Sequence, residues 1–292
     1  MTKEYLGQEY LAATDAKGLK QDSGLMRVVT RVSVAGSVLA LTISVLMIII
    51  GIVYFLSPVH GRSMMTVING SGKDTDTALG TIVKTPTRGD IILMKLYLEE
   101  TAEYYADTES AACKERWPHQ DNRGHYMYIV KRLIAVAGDE IAILRTPNGG
   151  NNANSDLNYD YTLYLNGQIL NEPYLDSVYA PTNAYNYRWF YDTLQQTNNQ
   201  VFAQDWKLHD PADLIHEGVV NGQTVPVLTI PDGYYFVMGD NRIESWDSSA
   251  MGPRPCGDFI GTCLDIIPNG TNMMQYILER FVYYVLFGWA WL

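Results

Sequence analysis

The sequence predicts a mainly β fold carried behind an N-terminal transmembrane helix, with a second subdomain inserted into the β scaffold. Three observations lead there. One uncharged run, VSVAGSVLALTISVLMIIIGIVYFL from Val32 to Leu56, is long enough to cross a bilayer. At about 1.5 Å per helical residue it covers the roughly 30 Å hydrocarbon core. Beyond it lie short runs rich in β-branched and aromatic residues, divided by turn residues. Among these stands a stretch rich in Asn, Tyr and Asp, residues 146–222, whose length marks an insertion rather than a simple connection.

Taken in order, residues 1–31 are polar without clear apolar periodicity and read as a loose cytoplasmic tail. Residues 32–57 read as the anchor. The run is apolar on all sides and longer than the roughly 7–15 residues of a cleavable signal peptide's apolar centre, and no A-x-A site follows at once. Ser57-Pro58 closes it, because proline biases its predecessor away from helical geometry. Lys17, Lys20, Arg27 and Arg31 precede the span and Arg62 alone follows it closely, so the amino terminus is expected in the cytoplasm of a single-pass cell-membrane protein. The rest of the chain is strongly acidic, which argues against a nucleic-acid partner. Membrane lipid is the partner that the anchor implies.

After the anchor, TIVKT, DIILMKLYL, MYIVKRLIAVA, EIAILR, YTLYL, VPVLTI and YYFVMG read as strands. Asn166-Gly167 predicts a type I′ hairpin, since both central residues of that turn need positive φ. Pro231-Asp232-Gly233 predicts a turn before YYFVMG. Residues 58–145 and 223–265 thus form the expected β-rich core. Residues 97–124 and the inserted subdomain, 146–222, are expected as functional segments or peripheral decoration rather than core. The remainder, 266–292, ends in FVYYVLFGWAWL (Phe281 to Leu292), read as interfacial or as a second span, with Glu279 and Arg280 costly inside a membrane. Of three cysteines, Cys256 and Cys263 enclose a loop short enough for a disulfide, leaving Cys113 as a free thiol. The histidines show no metal-ligand spacing with the cysteines, and neither a metal nor a cofactor is expected.

Chemistry concentrates at two residues. Ser63 lies just past the anchor, and a serine hydroxyl becomes a nucleophile when a base removes its proton. Lys131 lies inside the apolar run from Tyr128 to Val136. A free lysine stays charged well above neutral pH, but burial among apolar residues lowers its pKa and makes it a base. On a strand it shares a face with Ile129 and Leu133.

Four segments recur in one order: VHGRSMMTVI from Val59, RGDIILMK from Arg88, KRLIAVAGDEI from Lys131, and GYYFVMGDNRIESWDSSAMG from Gly233, the last followed by FIG at Phe259. With LYLNGQILNEPYL from Leu163, the set resembles the bacterial type I signal peptidase family. The resemblance implies an anchored β-rich catalytic domain, a serine endopeptidase with Ser63 as nucleophile and Lys131 as general base. It implies that Ser245 orients the lysine amine, that Met64 helps line an apolar substrate pocket, and that the Ser63 backbone N–H is one oxyanion donor. Gly61 stands where some members carry a second donor hydroxyl, so its backbone or a water substitutes. Asp240 and Asp247 are read as structural, accepting from backbone N–H groups or pairing with Arg242.

The chain departs from the family pattern where Met65-Thr66 replaces x-Pro after the nucleophile and where Ser249 replaces the arginine of D-S-R, so Asp247 loses its arginine partner unless Arg254 replaces it. The implied substrates are signal peptides of exported precursors, cut after small residues at alternate positions. They would lie along an edge formed by the strand after Ser63 and the segment before Lys131. The alternative is a non-catalytic relative that assists assembly of surface proteins.

Overall fold

The computed structural model describes residues 3–65, 67–70, 75–97, 126–152, 155–195, 214–276 and 279–280. The chain divides into two units, residues 1–53 and 54–292. The first is one helix, α1 (Lys3–Val53). Its backbone is helical from Lys3, not a loose tail, because residues 3–22 are mostly good helix formers and include no proline. Within it Gly24–Val53 is long and apolar enough to cross a membrane, and none of its most apolar stretch is buried against protein. The Thr30, Thr42 and Ser44 hydroxyls each donate to a carbonyl four residues back, so the polar groups inside the apolar helix are satisfied internally. The helix stops at Val53, short of the expected end at Ser57. Tyr54 onward is taken into a sheet instead.

The second unit is built on two antiparallel sheets. The first has seven strands in the order β1-β2-β12-β3-β4-β10-β11. These are β1 (Tyr54–Pro58), β2 (Thr77–Thr81), β3 (Ile91–Tyr97), β4 (Tyr126–Val136), β10 (Tyr234–Met238), β11 (Arg254–Pro255) and β12 (Phe259–Ile267). The second has five, β7-β6-β5-β9-β8. They are β5 (Glu140–Pro147), β6 (Tyr159–Leu165), β7 (Gln168–Ile169), β8 (Ile215–Val220) and β9 (Gln223–Thr229). Among the described residues of this unit the α-helices are α2 (Tyr185–Gln195), α3 (Ser248–Met251) and α4 (Met273–Tyr276).

Most expected strands are present. TIVKT is the exception: β2 ends at Thr81 and a bend follows. The Asn166-Gly167 hairpin forms, with φ of 52° and 77°. A second one, Asn221-Gly222 with φ of 49° and 76°, joins β8 to β9. Residues 97–124 and Cys113 lie outside the described residues apart from Tyr97, as does Phe281–Leu292. Cys256 and Cys263 are free thiols, so the disulfide that the length of their loop allowed is not formed.

The inserted stretch is not peripheral. It supplies β6, β7 and β8 to the second sheet, and α2 to the core. Phe190, Leu194 and Tyr187 of α2 pack with Phe236 and Met238 of β10, Ile134 and Ala135 of β4, and Ile141, Ile143 and Leu228 of the second sheet. The Phe190 and Phe236 rings lie 5.2 Å apart. A helix with one apolar face needs a partner surface, and the inner faces of both sheets provide it.

Candidate active site

Lys131 lies in β4 opposite Ile92 of β3, on the face that carries Ile129 and Leu133, as the alternation of the strand predicts. It is 3 % exposed, and its Nζ donates to Ser245 Oγ at 2.9 Å. Burial pushes the amine down to about pH 8 as its pKa. The Asp247 and Asp240 carboxylates, which favour the ammonium form, offset part of that effect.

Ser63 sits in the loop between β1 and β2. Its neighbours form a tight turn, with Met65 N donating to Arg62 O and Val67 and Ile68 N donating to Met64 O. The expected strand directly after Ser63 is therefore absent, and the next strand is β2. The residue is half-buried, and among the described residues its backbone N–H meets no acceptor. Its carbonyl accepts from Asn241 N at 2.9 Å, while Asn241 Nδ2 donates to Arg62 O at 3.0 Å. Asn241 thus clamps the chain on both sides of the Arg62–Ser63 bond. A methyl group added at Gly239 would stand 2.2 Å from Ser245 Oγ and 2.4 Å from Ser63 O, so the two serines flank one glycine. Only a residue without Cβ permits that approach.

Gly61 adopts φ of +96°, a left-handed conformation suited to glycine, and its N–H donates to Gly70 O at 2.9 Å. That bond engages the Gly61 N–H elsewhere, so it is not a free second oxyanion donor. Met64 is 1 % exposed and packs with Val59, Ile68 and Ala78.

The two aspartates differ in their partners. Asp240 forms a two-pronged ion pair with Arg132, Nε to Oδ1 at 2.8 Å and Nη2 to Oδ2 at 2.5 Å. Arg242, one of the two kinds of partner read for the aspartates, instead pairs with Glu172, donates to Tyr187 Oη at 2.7 Å, and donates to Gly239 O. Glu172 lies in the segment that follows β7. The same segment lays the Tyr174 ring 3.7 Å from the Arg132 guanidinium. Asp247 accepts from Gly239 N, Asn186 Nδ2, Ser249 N and Ser249 Oγ, and caps the N-terminus of α3. The Ser249 hydroxyl donates to Asp247 at 2.7 Å, and Arg254 pairs with Asp258.

Sequence reasoning missed Asn241, Asn186, Arg132 and Glu172. Asn241 and Arg132 were legible as motif neighbours of Asp240 and Lys131, and Glu172 lies in the NEPYL run. Asn186 carries no local signal, since its partners are 59 and 61 residues away.

An amine whose pKa is lowered to about 8 offers a neutral fraction near physiological pH, and with a hydroxyl-bearing loop pinned by backbone bonds it suits base-assisted attack by a serine oxygen. The family described as signal peptidase, peptidase S26, matches residues 32–266. Signal peptidase I U of Bacillus subtilis is 35 % identical over 77 residues, 24 % of this chain and 41 % of that protein. Signal peptidase I of Buchnera aphidicola is 27 % identical over 198 residues, 61 % of this chain and 54 % of that protein. The chain therefore spans about half or less of the length of these curated relatives. A solved signal peptidase I of Enterococcus faecalis aligns with a TM-score of 0.29 and 22 % identity, over 62 % of this chain and 99 % of that one.

Proposed function

The chain belongs to the signal peptidase family, peptidase S26, and on that premise we propose that it is a membrane-bound serine endopeptidase that removes signal peptides from exported proteins after small residues. The observation that carries this reading is the Lys131 amine: 3 % exposed, bonded to Ser245 Oγ, and depressed to a pKa of about 8. In this reaction neutral Lys131 takes the proton from Ser63 Oγ as the oxygen attacks the scissile carbonyl. The Ser63 N–H stabilises the oxyanion. The lysine ammonium then protonates the departing amine, leaving an acyl-enzyme on Ser63. Lys131, neutral again, deprotonates a water that releases the signal peptide and restores the serine.

The geometry of β4 supports an extended substrate. Its ladder with β10 runs from Val136 to Arg132, and from Lys131 back to Tyr126 it is paired with β3. A peptide added along that stretch would point alternate side chains inward, which fits recognition of small residues at alternate positions. The basic flank before the apolar helix supports a cytoplasmic amino terminus and an extracytoplasmic second unit. An anchored enzyme then meets its membrane-tethered substrate at raised effective concentration.

The test is cleavage of a purified A-x-A precursor by the wild-type chain, Ser63→Ala and Lys131→Ala. Each variant is expected to lose at least about a thousandfold in rate while remaining folded. Normal cleavage by either one would end the dyad reading. Wild-type support of surface-protein assembly by both inactive variants would favour the non-catalytic alternative.

A further inference from the structure

The inserted stretch supplies one helix, α2, that contacts the loop bearing Ser245. Asn186, in the first turn of α2, is 2 % exposed. Its side-chain Nδ2 donates to Ser245 O and to Asp247 Oδ2, both at 2.9 Å. Its backbone N–H donates to Arg242 O at 3.0 Å. A first-turn N–H has no partner within its own helix, so this contact also completes the helix end. The next residue, Tyr187, meets the Arg242 guanidinium through its hydroxyl. One turn on, the Trp189 ring packs edge-on against Trp246 at 5.9 Å, with Tyr185 packed on Trp189 at 5.2 Å. Four of the six residues from Arg242 to Asp247 are therefore held by one helical turn and the residues beside it.

That loop carries Ser245, whose hydroxyl accepts from Lys131 Nζ. It belongs to neither sheet, so the position of Ser245 depends on side-chain and turn contacts. A lysine on a flexible stem acts as a base only when its amine is held in one place. We propose that Asn186 is a positioning residue for the Ser63–Lys131 reaction, and that α2 is the element through which the inserted subdomain sets the place of the Lys131 amine. The inference rests on the peptidase reading above. It gives the insertion a role in catalysis rather than in decoration.

Its test uses the intact chain in detergent with the same precursor, measuring kcat, KM, the pH dependence of kcat and the thermal midpoint. Asn186→Ala removes both side-chain donors. The expected result is a fall in kcat of about ten- to a hundredfold with KM within about twofold, in protein whose folded fraction at assay temperature equals wild type. Asn186→Asp removes the donors and sets a second carboxylate beside Asp247. The charged groups facing Lys131 are Asp247 and Asp240 from the β10–α3 loop, and Arg132 and Arg242 are engaged by Asp240 and Glu172. An added negative charge favours the ammonium, so the acid limb of kcat should move to higher pH in this variant. Should Asn186→Ala fail to fold, Asn186→Ser keeps a short donor, and the same measurements on it decide. Wild-type kcat in the folded variants, or an unmoved acid limb in Asn186→Asp, would overturn the inference. Those results leave the dyad reading standing if Ser63→Ala is inactive; an active Ser63→Ala removes the dyad reading itself.

Discussion

Lys131 contributes to function by an arrangement that costs stability. With its pKa lowered from 10.5 to about 8, the folded chain binds fewer protons than the unfolded chain between those values. The destabilising effect of burying the ammonium is therefore full below about pH 8 and is relieved as pH rises from about 8 towards 10.5. Activity follows the same titration, since only the neutral amine accepts the serine proton. Below about pH 8, kcat should fall roughly tenfold per pH unit, and a flat rate between pH 8 and 5 would contradict the assignment of Lys131 as base. Lys131→Met, which replaces the amine with an apolar chain, should be inactive yet melt higher than wild type at pH 7. A lower midpoint would mean that the hydrogen bond to Ser245 outweighs the burial of charge. The aspartates beside it show a division of labour between neighbouring residues of one type: Asp240 neutralises Arg132, while Asp247 ties a turn together.

At the scale of elements, the edge of the seven-stranded sheet depends on two glycines. The Phe55 ring of β1 lies over Gly80 of β2 and Gly261 of β12; a Cβ added at either would stand 2.2 or 2.5 Å from its atoms. Aromatic rings cover glycines in this way where two strands need a large side chain and their neighbours leave room for it. Gly80→Ala should cost about 1–3 kcal/mol, because the ring has to leave its seat. The same substitution in a Phe55→Leu background should cost clearly less, as read from thermal midpoints in a double-mutant cycle. Equal costs in both backgrounds would show that the ring is not what the methyl group meets. Element boundaries explain most of the distance between expectation and structure here. Short, nearly continuous apolar runs such as those of Ile91–Tyr97 and Glu140–Pro147 declare themselves, whereas β8 hides because its IHEGVV stretch is short of apolar residues and mostly exposed or half-buried.

Across the whole second unit, buried ion pairs join segments that sequence reading kept apart. Arg242, fully buried, links the β10–α3 loop to Glu172 after β7 and to Tyr187 of α2. Arg132 links β4 to Asp240, to Gly89 O and to Tyr174. Removing one partner of such a pair leaves a charge in the interior, so Glu172→Ala should lower stability by about 3–5 kcal/mol and reduce cleavage together with it. The measurement is chemical unfolding beside the cleavage assay. A loss below about 1 kcal/mol would mean that water or another acceptor reaches Arg242. The prediction separates this residue from Asn186, whose loss should slow kcat in protein that remains folded.

From the residues alone come the apolar span, the mainly β character, the two lone chemical candidates Ser63 and Lys131, and the face on which the lysine lies, because each depends on periodicity or on short ordered motifs. The free state of Cys256 and Cys263, the core role of the inserted helix, the pairing of Arg242 with Glu172 and the hold of Asn186 on Ser245 were decided only in three dimensions. Their partners are brought together by sheet pairing and core packing across many residues, and no local pattern of side chains encodes which distant acceptor a buried donor will find.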